Sequence, residues 1–430
     1  SSLSSSLTKL TAIKFDNFTT SAVKDMSSMF YGCTSLTSIT FGNNFTTSTV
    51  TDMMSMFARC EKLLSLDLSG FDISNVTTMR QMFLWCKSLT TLDLSNFDTS
   101  VNPTGDVDLA GMFSYCQKLE NLILSDKFVS SKVSNIGSLF SGCVSLTSND
   151  LSKIDLSKFD LTNVTNIGSM FQSCTELASV TFPAGFDTTN VNDMNNLFNG
   201  CKALTSVDLS NLNTANVANM SSMFAGCSAL SSITFGDNFN TPKVNSFRSM
   251  FSGCSALTEL DLSNFTAENT DLEIGYMFSN CTNLAKLSVS ESLAQKIAEE
   301  ENGYSKSQLY NVCAKWYDSD GAEYTSENAF TASGTYFTTM PKYVVTCSNG
   351  SEVYETLEDA WTAANEATDA TIKMNVGAEV AAALIVEEGN DIVLDLKGNK
   401  ITYTGDGGLV IIVGGTFKLE DNGTGTHTIT

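Results

Sequence analysis

Cysteine is the residue type whose chemistry decides how this sequence is interpreted. Ten of the twelve cysteines stand at one recurring position, separated by two residues from an apolar pair such as Met29-Phe30, at steps of 26 to 31 residues. Such steps contain no CxxC pair and give no zinc-ligand pattern. Stacked repeats would bring neighbouring cysteines to about 5 Å, close enough for disulfides, but a shared apolar position favours buried, reduced thiols that form a structural ladder. The ten are Cys33, Cys60, Cys86, Cys116, Cys143, Cys174, Cys201, Cys227, Cys254 and Cys281.

The other cysteines and the histidine limit the remaining side-chain chemistry. Cys313 and Cys347 lie outside the repeating frame and are candidates for one disulfide with each other. His427 is the only histidine, which excludes Ser/His/Asp and Cys/His triads in the repeats and any site with several histidines. We therefore predict no catalytic residue, no metal and no cofactor in this chain.

A row of aspartates is the second candidate for chemistry, because one aspartate stands in the middle of five recurring apolar-x-apolar triplets. A glycosidase needs two carboxyls roughly 5 to 10 Å apart, in environments that push their pKa values in opposite directions. A repeated aspartate that alternates with threonine instead favours a solvated surface row that also discourages edge pairing. The five are Asp67, Asp93, Asp155, Asp208 and Asp261.

These residues belong to a repeat unit that must position them. A period of 26 to 31 residues predicts a solenoid, in which each unit buries its apolar face by stacking on its neighbours. The triplet predicts a short strand, and Val76, Met79, Met82 and Phe83, at spacings of three and four, predict one or two helical turns. The eleven predicted strands are residues 13–15, 39–41, 66–68, 92–94, 122–124, 154–156, 180–182, 207–209, 233–235, 260–262 and 287–289.

Composition narrows the range of partners and compartments. The chain has 430 residues, is 42% hydrophobic and carries a net charge of −23, so it repels phosphate backbones and anionic lipid. We expect neither nucleic-acid binding nor membrane insertion, since no apolar run approaches the ~18 residues that span a bilayer. The sequence begins with SSLSSS and shows no signal peptide, so we expect a mature or trimmed chain without its export signal.

Two stretches carry a resemblance to a known family. The strings LSLDLSGFDISNVTTMRQMFLWC and TSVDLSNLNTANVANMSSMFAGC closely resemble the bacterial surface leucine-rich repeats of the BspA-like kind, in the variant LDLSNFDTSNVTNMSYMFSGC. The resemblance covers residues 7 to 290. It implies a curved leucine-rich-repeat solenoid, secreted or at a bacterial cell surface, with adhesion and protein binding as associated functions.

The C-terminal part predicts a second architecture. Residues 290–301 predict a helix with a capping box at Ser292 and Gln295, and residues 316–324 predict a hairpin in which Asp318 and Asp320 form a plain turn rather than a calcium site. The strings TLEDAWTAANEA, IVLDLKGNKIT and VGGTFKLEDNGTGTHTIT resemble the opening coils of pectate-lyase-like right-handed β-helices.

The expected fold is therefore a repeat solenoid of about eleven strand/short-helix coils, then a cap with a small β region, then the first coils of a β-helix. The predicted domains are residues 1–290 for the solenoid, 291–340 for the cap and hairpin, and 341–430 for the β-helix-like part, which we expect to continue beyond Thr430.

The outward strand positions are the predicted binding surface. They are small, polar or acidic and lack an aromatic platform, so a protein or basic peptide is favoured over a glycan. Ile123 interrupts the row near two longer coils, which predicts a contact patch on coils four to six. Two other functions remain open, an accessory part of a secreted carbohydrate-active enzyme and a structural surface stalk. The patch comprises Thr91, Asp93, Asn121, Ile123, Lys153, Asp155, Ser179 and Thr181.

Overall fold

The computed structural model describes residues 8–147, 156–298, 309, 313–347, 350–367, 369–376, 378–380, 384–387, 390–397, 399, 401–403, 410–412 and 416–420. The chain divides into two compact units. The first comprises residues 1–284, 289–312 and 331–333, and the second comprises residues 285–288, 313–330 and 334–430.

The first unit is a stack of coils joined by short parallel strands, which confirms the predicted repeat solenoid. Apolar and exposed residues alternate along each strand, so that Leu92 and Leu94 are buried while Asp93 is exposed. The strands β1 and β2 pair in register, as do β3 with β5 and β7 with β8 and β9. The strands are β1 (Ala12–Phe15), β2 (Ser38–Phe41), β3 (Thr91–Leu94), β4 (Val107–Asp108), β5 (Asn121–Leu124), β6 (Val133–Asn135), β7 (Ser179–Thr181), β8 (Ser206–Asp208), β9 (Ser232–Thr234) and β10 (Glu259–Leu262).

Two predicted strands differ from the structure. Residues 66–68 form no strand, although Leu66 and Leu68 are buried and Asp67 is exposed as predicted. Burial alone sets that alternation, so the sequence pattern does not reveal whether ladder hydrogen bonds form. Residues 154 and 155 lie outside the described residues, and Leu156 begins a 3-10 turn at Leu156–Lys158.

A column of stacked phenylalanine rings forms the centre of the first unit. Ten phenylalanines, one from each coil, follow one another with centroids 5.4 to 6.3 Å apart and ring planes within 5 to 15° of parallel. Each ring is at most 1% exposed, so every coil buries its aromatic side chain against both neighbours, as the repeat argument requires. The column comprises Phe30, Phe57, Phe83, Phe113, Phe140, Phe171, Phe198, Phe224, Phe251 and Phe278.

The segment before each cysteine is a run of tight turns, and the predicted helical turns are wrong. Backbone N–H groups at every other residue donate to the next coil, as from Ser55 to Arg80 O at 2.9 Å and from Phe57 to Met82 O at 2.9 Å. The residues between them close four-residue β-turns, as from Ala58 N to Ser55 O at 3.0 Å. Half of the backbone N–H groups in this segment therefore donate to the next coil. In a helix all of them would donate to carbonyls of the same coil.

Two residues per coil adopt left-handed backbone angles, and these angles bend the run of turns. They stand five positions and one position before each cysteine, with φ between 53° and 79°. Side chains disfavour this region and glycine does not, which explains why the position before the cysteine is so often glycine. The second member of each pair is Gly32, Arg59, Trp85, Tyr115, Gly142, Ser173, Gly200, Gly226, Gly253 or Asn280.

Replacing Gly226 with alanine is expected to lower the free energy of unfolding by about 1 to 2 kcal/mol, because a Cβ disfavours its φ of 75°. Steric overlap adds little, since the nearest atom to that Cβ would be Gly200 Cα at 3.6 Å. Gly70→Ala is the matched control, because Gly70 has no left-handed φ and no atom within 4 Å of the added methyl. Urea denaturation of both variants checks this, and equal midpoints would contradict it.

A short helix, α1 (Glu291–Ala298), follows the repeats and packs on the last coil. Leu293 and Ile297 are buried, and Ser292 Oγ accepts a hydrogen bond from Ala267 N at 3.0 Å. The predicted capping box at Ser292 and Gln295 is wrong, because Ser290 Oγ accepts from Leu293 N at 3.2 Å and caps the helix instead. Ser292 is thus available for the contact with the coil.

The second unit begins with a hairpin and ends with parallel strand pairs. The helix α2 (Leu357–Glu366) buries one face, formed by Leu357, Ala360, Trp361 and Ala364. The later strands are β11 (Lys286–Val289), β12 (Trp316–Tyr317), β13 (Glu323–Tyr324), β14 (Gly334–Phe337), β15 (Tyr343–Cys347), β16 (Gly350–Tyr354), β17 (Asp369–Met374), β18 (Ala378–Val380), β19 (Leu384–Val386), β20 (Asp391–Asp395), β21 (Ile401–Tyr403), β22 (Val410–Ile412) and β23 (Thr416–Glu420).

Successive strands of the second unit pair in parallel along three lines. β17, β20 and β23 form one line, β18 and β21 a second, and β19 and β22 a third. β15 joins the first line antiparallel, between β16 and β17. In each line, a strand pairs with the strand that begins 22 to 26 residues earlier in the sequence. Among the described residues, no helix has both the length and the apolar character to cross a membrane.

Candidate functional site

The outward strand residues form an exposed polar row, which we call the strand face. In β3 and β5 the register places Thr91 beside Asn121 and Asp93 beside Ile123, and all four are exposed. In β7, β8 and β9 it places Ser179 beside Ser206 and Thr181 beside Asp208, again exposed. The strand alternation thus sends these side chains outward.

The predicted patch on coils four to six is only partly described. Ile123 is 46% exposed, one of few large apolar side chains in the first unit with that much surface. Ser179 and Thr181 belong to a separate sheet from Thr91, Asp93, Asn121 and Ile123. Lys153 and Asp155, which would connect the two groups, lie outside the described residues. The continuity of the patch therefore stays a prediction.

The strand-face aspartates are charged and locally bonded. Hydrogen bonds from Ser69 to Asp67, and from Ser210 to Asp208, lower the pKa of each carboxyl, first through the serine side chain and then through its N–H. The backbone N–H of Ser95, 2.9 Å from Asp93 Oδ1, does the same for Asp93. All three shifts have one direction and one cause, whereas a glycosidic acid/base pair needs opposite shifts.

The cysteine ladder lies inside the stack and bonds to the backbone. The Sγ atom of each cysteine after the first donates to the carbonyl of the phenylalanine in the preceding coil, as from Cys174 to Phe140 at 3.2 Å. Burial raises the pKa of these thiols, to about 12 for Cys86, Cys143, Cys201 and Cys281. Buried thiols with raised pKa values are poor nucleophiles and metal ligands, which fits the predicted structural role.

The cysteines and aspartates of the second unit that were considered for chemistry make structural contacts instead. Cys313 and Cys347 are both half-buried, and Cys313 Sγ contacts the carbonyl of Lys315 at 3.1 Å. Asp318 Oδ1 accepts from Asp320 N and Ala322 N, each at 2.9 Å, which closes the predicted hairpin turn. Among the described residues, no group of three His, Cys, Asp or Glu side chains could hold a metal ion. His427 lies outside them.

One cluster on the turn side of the coils was not predicted. Trp85 stacks on Tyr115 with centroids 4.8 Å apart, and Arg59 Cζ and Lys87 Nζ lie 5.5 and 4.7 Å from the Trp85 ring. We call these four residues the basic–aromatic cluster. The sequence signal was present, because Arg59, Trp85 and Tyr115 fill the position before the cysteine in three consecutive coils, where five other coils carry glycine.

A cavity of about 240 Å³ adjoins this cluster. Its polar lining includes Arg80, Gln81, Tyr115, Ser138 and Gln172, contributed by four consecutive coils. Arg80 Nη1 lies 3.5 Å from Asp108 Oδ2, at the limit of a hydrogen bond. The cavity is small for a drug-sized ligand and is lined mainly by polar residues.

A second cavity, about 450 Å³, lies at the first coil. Its lining includes Phe18, which is 54% exposed, together with Val23, Met26 and Met29. These apolar side chains belong to the end of the stack, where no earlier described coil covers them.

Comparison with known families finds one match across the repeats. The family described as "Mycoplasma protein of unknown function, DUF285" matches residues 1–104, 104–181 and 182–292. These three ranges cover the first unit's coils and end at the second residue of α1, and together they cover more than half of the chain. No curated protein matches the chain.

Three solved structures illustrate what the chain is similar to. A leucine-rich repeat protein from Bacteroides ovatus is 18% identical with a TM-score of 0.36, over 66% of this chain and 76% of that chain. A leucine-rich cell surface protein from Faecalibacterium prausnitzii is 19% identical with a TM-score of 0.30, over 65% and 83%. A leucine-rich repeat protein from Eubacterium ventriosum is 17% identical with a TM-score of 0.35, over 66% and 74%.

Proposed function

The chain belongs to the DUF285 family, and we propose that it is a secreted or cell-surface module that binds a protein partner without catalysing a reaction. The observation that carries this proposal is the strand face, a row of exposed polar side chains held at the strand spacing by a rigid stack. Solenoids of this kind use such extended surfaces for binding. The resemblance to BspA-like repeats supports adhesion and a bacterial cell-surface location.

Charge favours a basic partner for the strand face. Asp67, Asp93, Asp208 and Asp261 project from it, and hydrogen bonds keep three of these carboxyls ionised at neutral pH. Complementary charge speeds encounter and sets the register of binding. Ile123 adds an exposed apolar contact beside Asp93, as protein interfaces require at their centre.

We expect the triple variant Asp67→Asn, Asp93→Asn, Asp208→Asn to bind a labelled peptide of alternating Lys and Leu at least tenfold more weakly than wild type, because it loses three charges from the strand face. Asparagine keeps the acceptor for the N–H two residues later, so the turns are preserved. Fluorescence anisotropy at low salt measures the affinity.

The matched control removes the same charge elsewhere. Asp72, Asp98 and Asp187 lie in the loops after the strands and accept the same kind of hydrogen bond, from Ser74, Ser100 and Thr189. Their triple asparagine variant should bind the basic peptide within about threefold of wild type. Equal losses in both triple variants would show that net charge alone, and not the strand face, attracts the peptide.

A second candidate function rests on the second unit. Its three parallel lines of strands and the packing of α2, whose Trp361 Nε1 donates to Ile385 O at 2.7 Å, agree with the coils of a β-helix. The resemblance to pectate-lyase-like β-helices then favours an accessory part of a secreted carbohydrate-active enzyme. Sequence beyond Thr430 with paired carboxylates on neighbouring strands would favour this candidate over the adhesion module.

A further inference from the structure

The basic–aromatic cluster occupies backbone positions that side chains disfavour. Arg59, Trp85 and Tyr115 have φ of 62°, 63° and 59°, at the position where Gly142, Gly200 and Gly226 stand in later coils. The fold therefore accepts glycine here without difficulty, yet three consecutive coils carry large side chains. Residues held in disfavoured backbone conformations cluster at functional sites, which makes this row a candidate for one.

The geometry of the cluster leaves ring edges and cations at the surface. One face of the Trp85 ring stacks on Tyr115, and the cationic groups of Arg59 and Lys87 also lie over the Trp85 ring. Tyr115 lies against Gly142, where an added Cβ would stand 2.5 Å from Tyr115 Cδ1. With the faces covered, the exposed parts of both rings are their edges, which carry positive partial charge.

The cluster is electropositive within a strongly acidic chain. The net charge is −23 and the chain contains only three arginines, of which Arg59 lies in the cluster and Arg80 lines the adjoining cavity. Lys87 is paired with Glu61 at 3.0 Å, and Arg80 reaches Asp108 only at 3.5 Å. Anionic groups are repelled by most of this protein, and this patch offers them cations and ring edges together.

The adjoining cavity places polar residues beside the cluster. Gln81, Gln172 and Tyr115 line the same space as Arg80. A guanidinium, two amide NH₂ groups and a phenol are together suited to a carboxylate, which accepts several hydrogen bonds. The volume of about 240 Å³ admits one acidic side chain.

We propose that the basic–aromatic cluster and its cavity form a docking site for an acidic peptide segment of another protein. A glutamate or aspartate of that segment enters the cavity beside Arg80, and neighbouring residues pack along the edges of Trp85 and Tyr115. Tryptophan, tyrosine and arginine are the residues that dominate binding energy at protein interfaces. This site is distinct from the strand face and prefers the opposite charge.

A saccharide fits these observations less well than a peptide. Sugar rings pack their C–H groups on the open face of an aromatic ring, and here the ring faces are covered by Arg59, Lys87, Gly142 and each other. The cavity provides donors for anionic oxygens but no stacking surface beside them. An acidic saccharide is therefore an outcome to be tested against the peptide.

Binding of a labelled peptide of alternating Glu and Leu tests the proposal by fluorescence anisotropy on the full chain. We expect saturable binding by wild type and at least tenfold weaker binding by the double variant Trp85→Gly, Tyr115→Gly. Arg80→Gln should weaken binding by about tenfold, because it removes the charge that the carboxylate meets. The glycine variants suit their left-handed positions, and circular dichroism should show an unchanged fold.

Controls separate the site from general effects. Ser173→Gly changes the same backbone position outside the cluster and should bind like wild type, as should the strand-face triple asparagine variant. A peptide of alternating Gln and Leu should bind at least tenfold more weakly. Wild-type affinity of the double variant, equal binding of the glutamine peptide, or binding of an oligogalacturonate without binding of the acidic peptide would each overturn the proposal.

Discussion

Raising the pH from about 8 to about 10 under reducing conditions is expected to unfold the repeat array. Burial raises the pKa of the ladder thiols, to about 12 for Cys86, Cys143, Cys201 and Cys281, whereas a thiol in an unfolded chain ionises near pH ~8.5. Because the folded pKa is the higher one, the unfolded chain releases protons first. The stability is therefore intact below that pH and falls as pH rises.

The size of this effect follows from the number of thiols. Each pH unit above the unfolded pKa lowers the free energy of unfolding by about 1.4 kcal/mol per thiol. The four thiols with a pKa of about 12 together lower it by roughly 6 kcal/mol per pH unit, and the other ladder thiols, whose pKa values burial also raises, add to this loss. A loss of this size in one pH unit is comparable to the whole free energy of unfolding of a typical domain. The unfolding transition should therefore be steep in pH.

Far-UV circular dichroism during an alkaline titration measures this result. The double variant Cys313→Ser, Cys347→Ser should unfold at the same pH as wild type, since both cysteines lie outside the ladder. A variant with four ladder cysteines replaced by alanine, although less stable at pH 7, should lose stability less steeply with pH. If its slope equalled that of wild type, the thiols would not be the cause.

Replacing Phe171 with alanine is expected to lower the free energy of unfolding of the repeat array by about 3 to 5 kcal/mol. Phe171 is fully buried and stacks on Phe140 and Phe198, with centroids 6.0 and 5.8 Å away. The neighbouring coils are held apart by their own backbone hydrogen bonds, so they cannot close the space that the ring leaves. The cost should therefore lie at the upper end for a core substitution.

Urea denaturation measures the Phe171 effect, with Phe18→Ala as the matched control. Phe18 is 54% exposed and contacts Phe15 by its edge, so its loss should change the stability by no more than about 0.5 kcal/mol. Because each coil in the stack contacts only its neighbours, the Phe171 variant should also show two unfolding transitions, one for the coils on each side of the substitution. Equal midpoints for both variants would contradict the role given to the phenylalanine column.

The solenoid could be predicted from the sequence because its signals are local and repeated. Two patterns indicate which residues face inward: the alternation of apolar and polar residues around Asp93, and the leucine three residues after each ladder cysteine. The burial of these side chains agrees with both. The same reasoning predicted helical turns around Met79 and Phe83 and was wrong there. Spacings of three and four residues fit a run of tight turns as well as a helix, since both return a side chain to the same side.

The signal that distinguishes the two was the glycine, serine or asparagine before seven of the ten ladder cysteines. A residue such as Gly200 or Asn280 tolerates left-handed angles, and a helix has no place for one in every turn. The same position holds Arg59, Trp85 and Tyr115, so the cluster that carries our second binding site was readable in the sequence. Its stacking could not be predicted, because it depends on which side chains the coil spacing brings together.

The paired turns and forward hydrogen bonds of each coil also give the array an electric polarity. Four N–H groups per coil point to the next coil, as those of Met53, Ser55, Phe57 and Arg59 do, and the pattern holds from the first cysteine-containing coil to the ninth. Peptide dipoles that point the same way add, as they do in a helix. Fewer N–H groups in this segment donate to the preceding coil, as Thr51 N does to Lys24 O at 2.8 Å, so the run of turns carries a net dipole whose positive end faces the later coils.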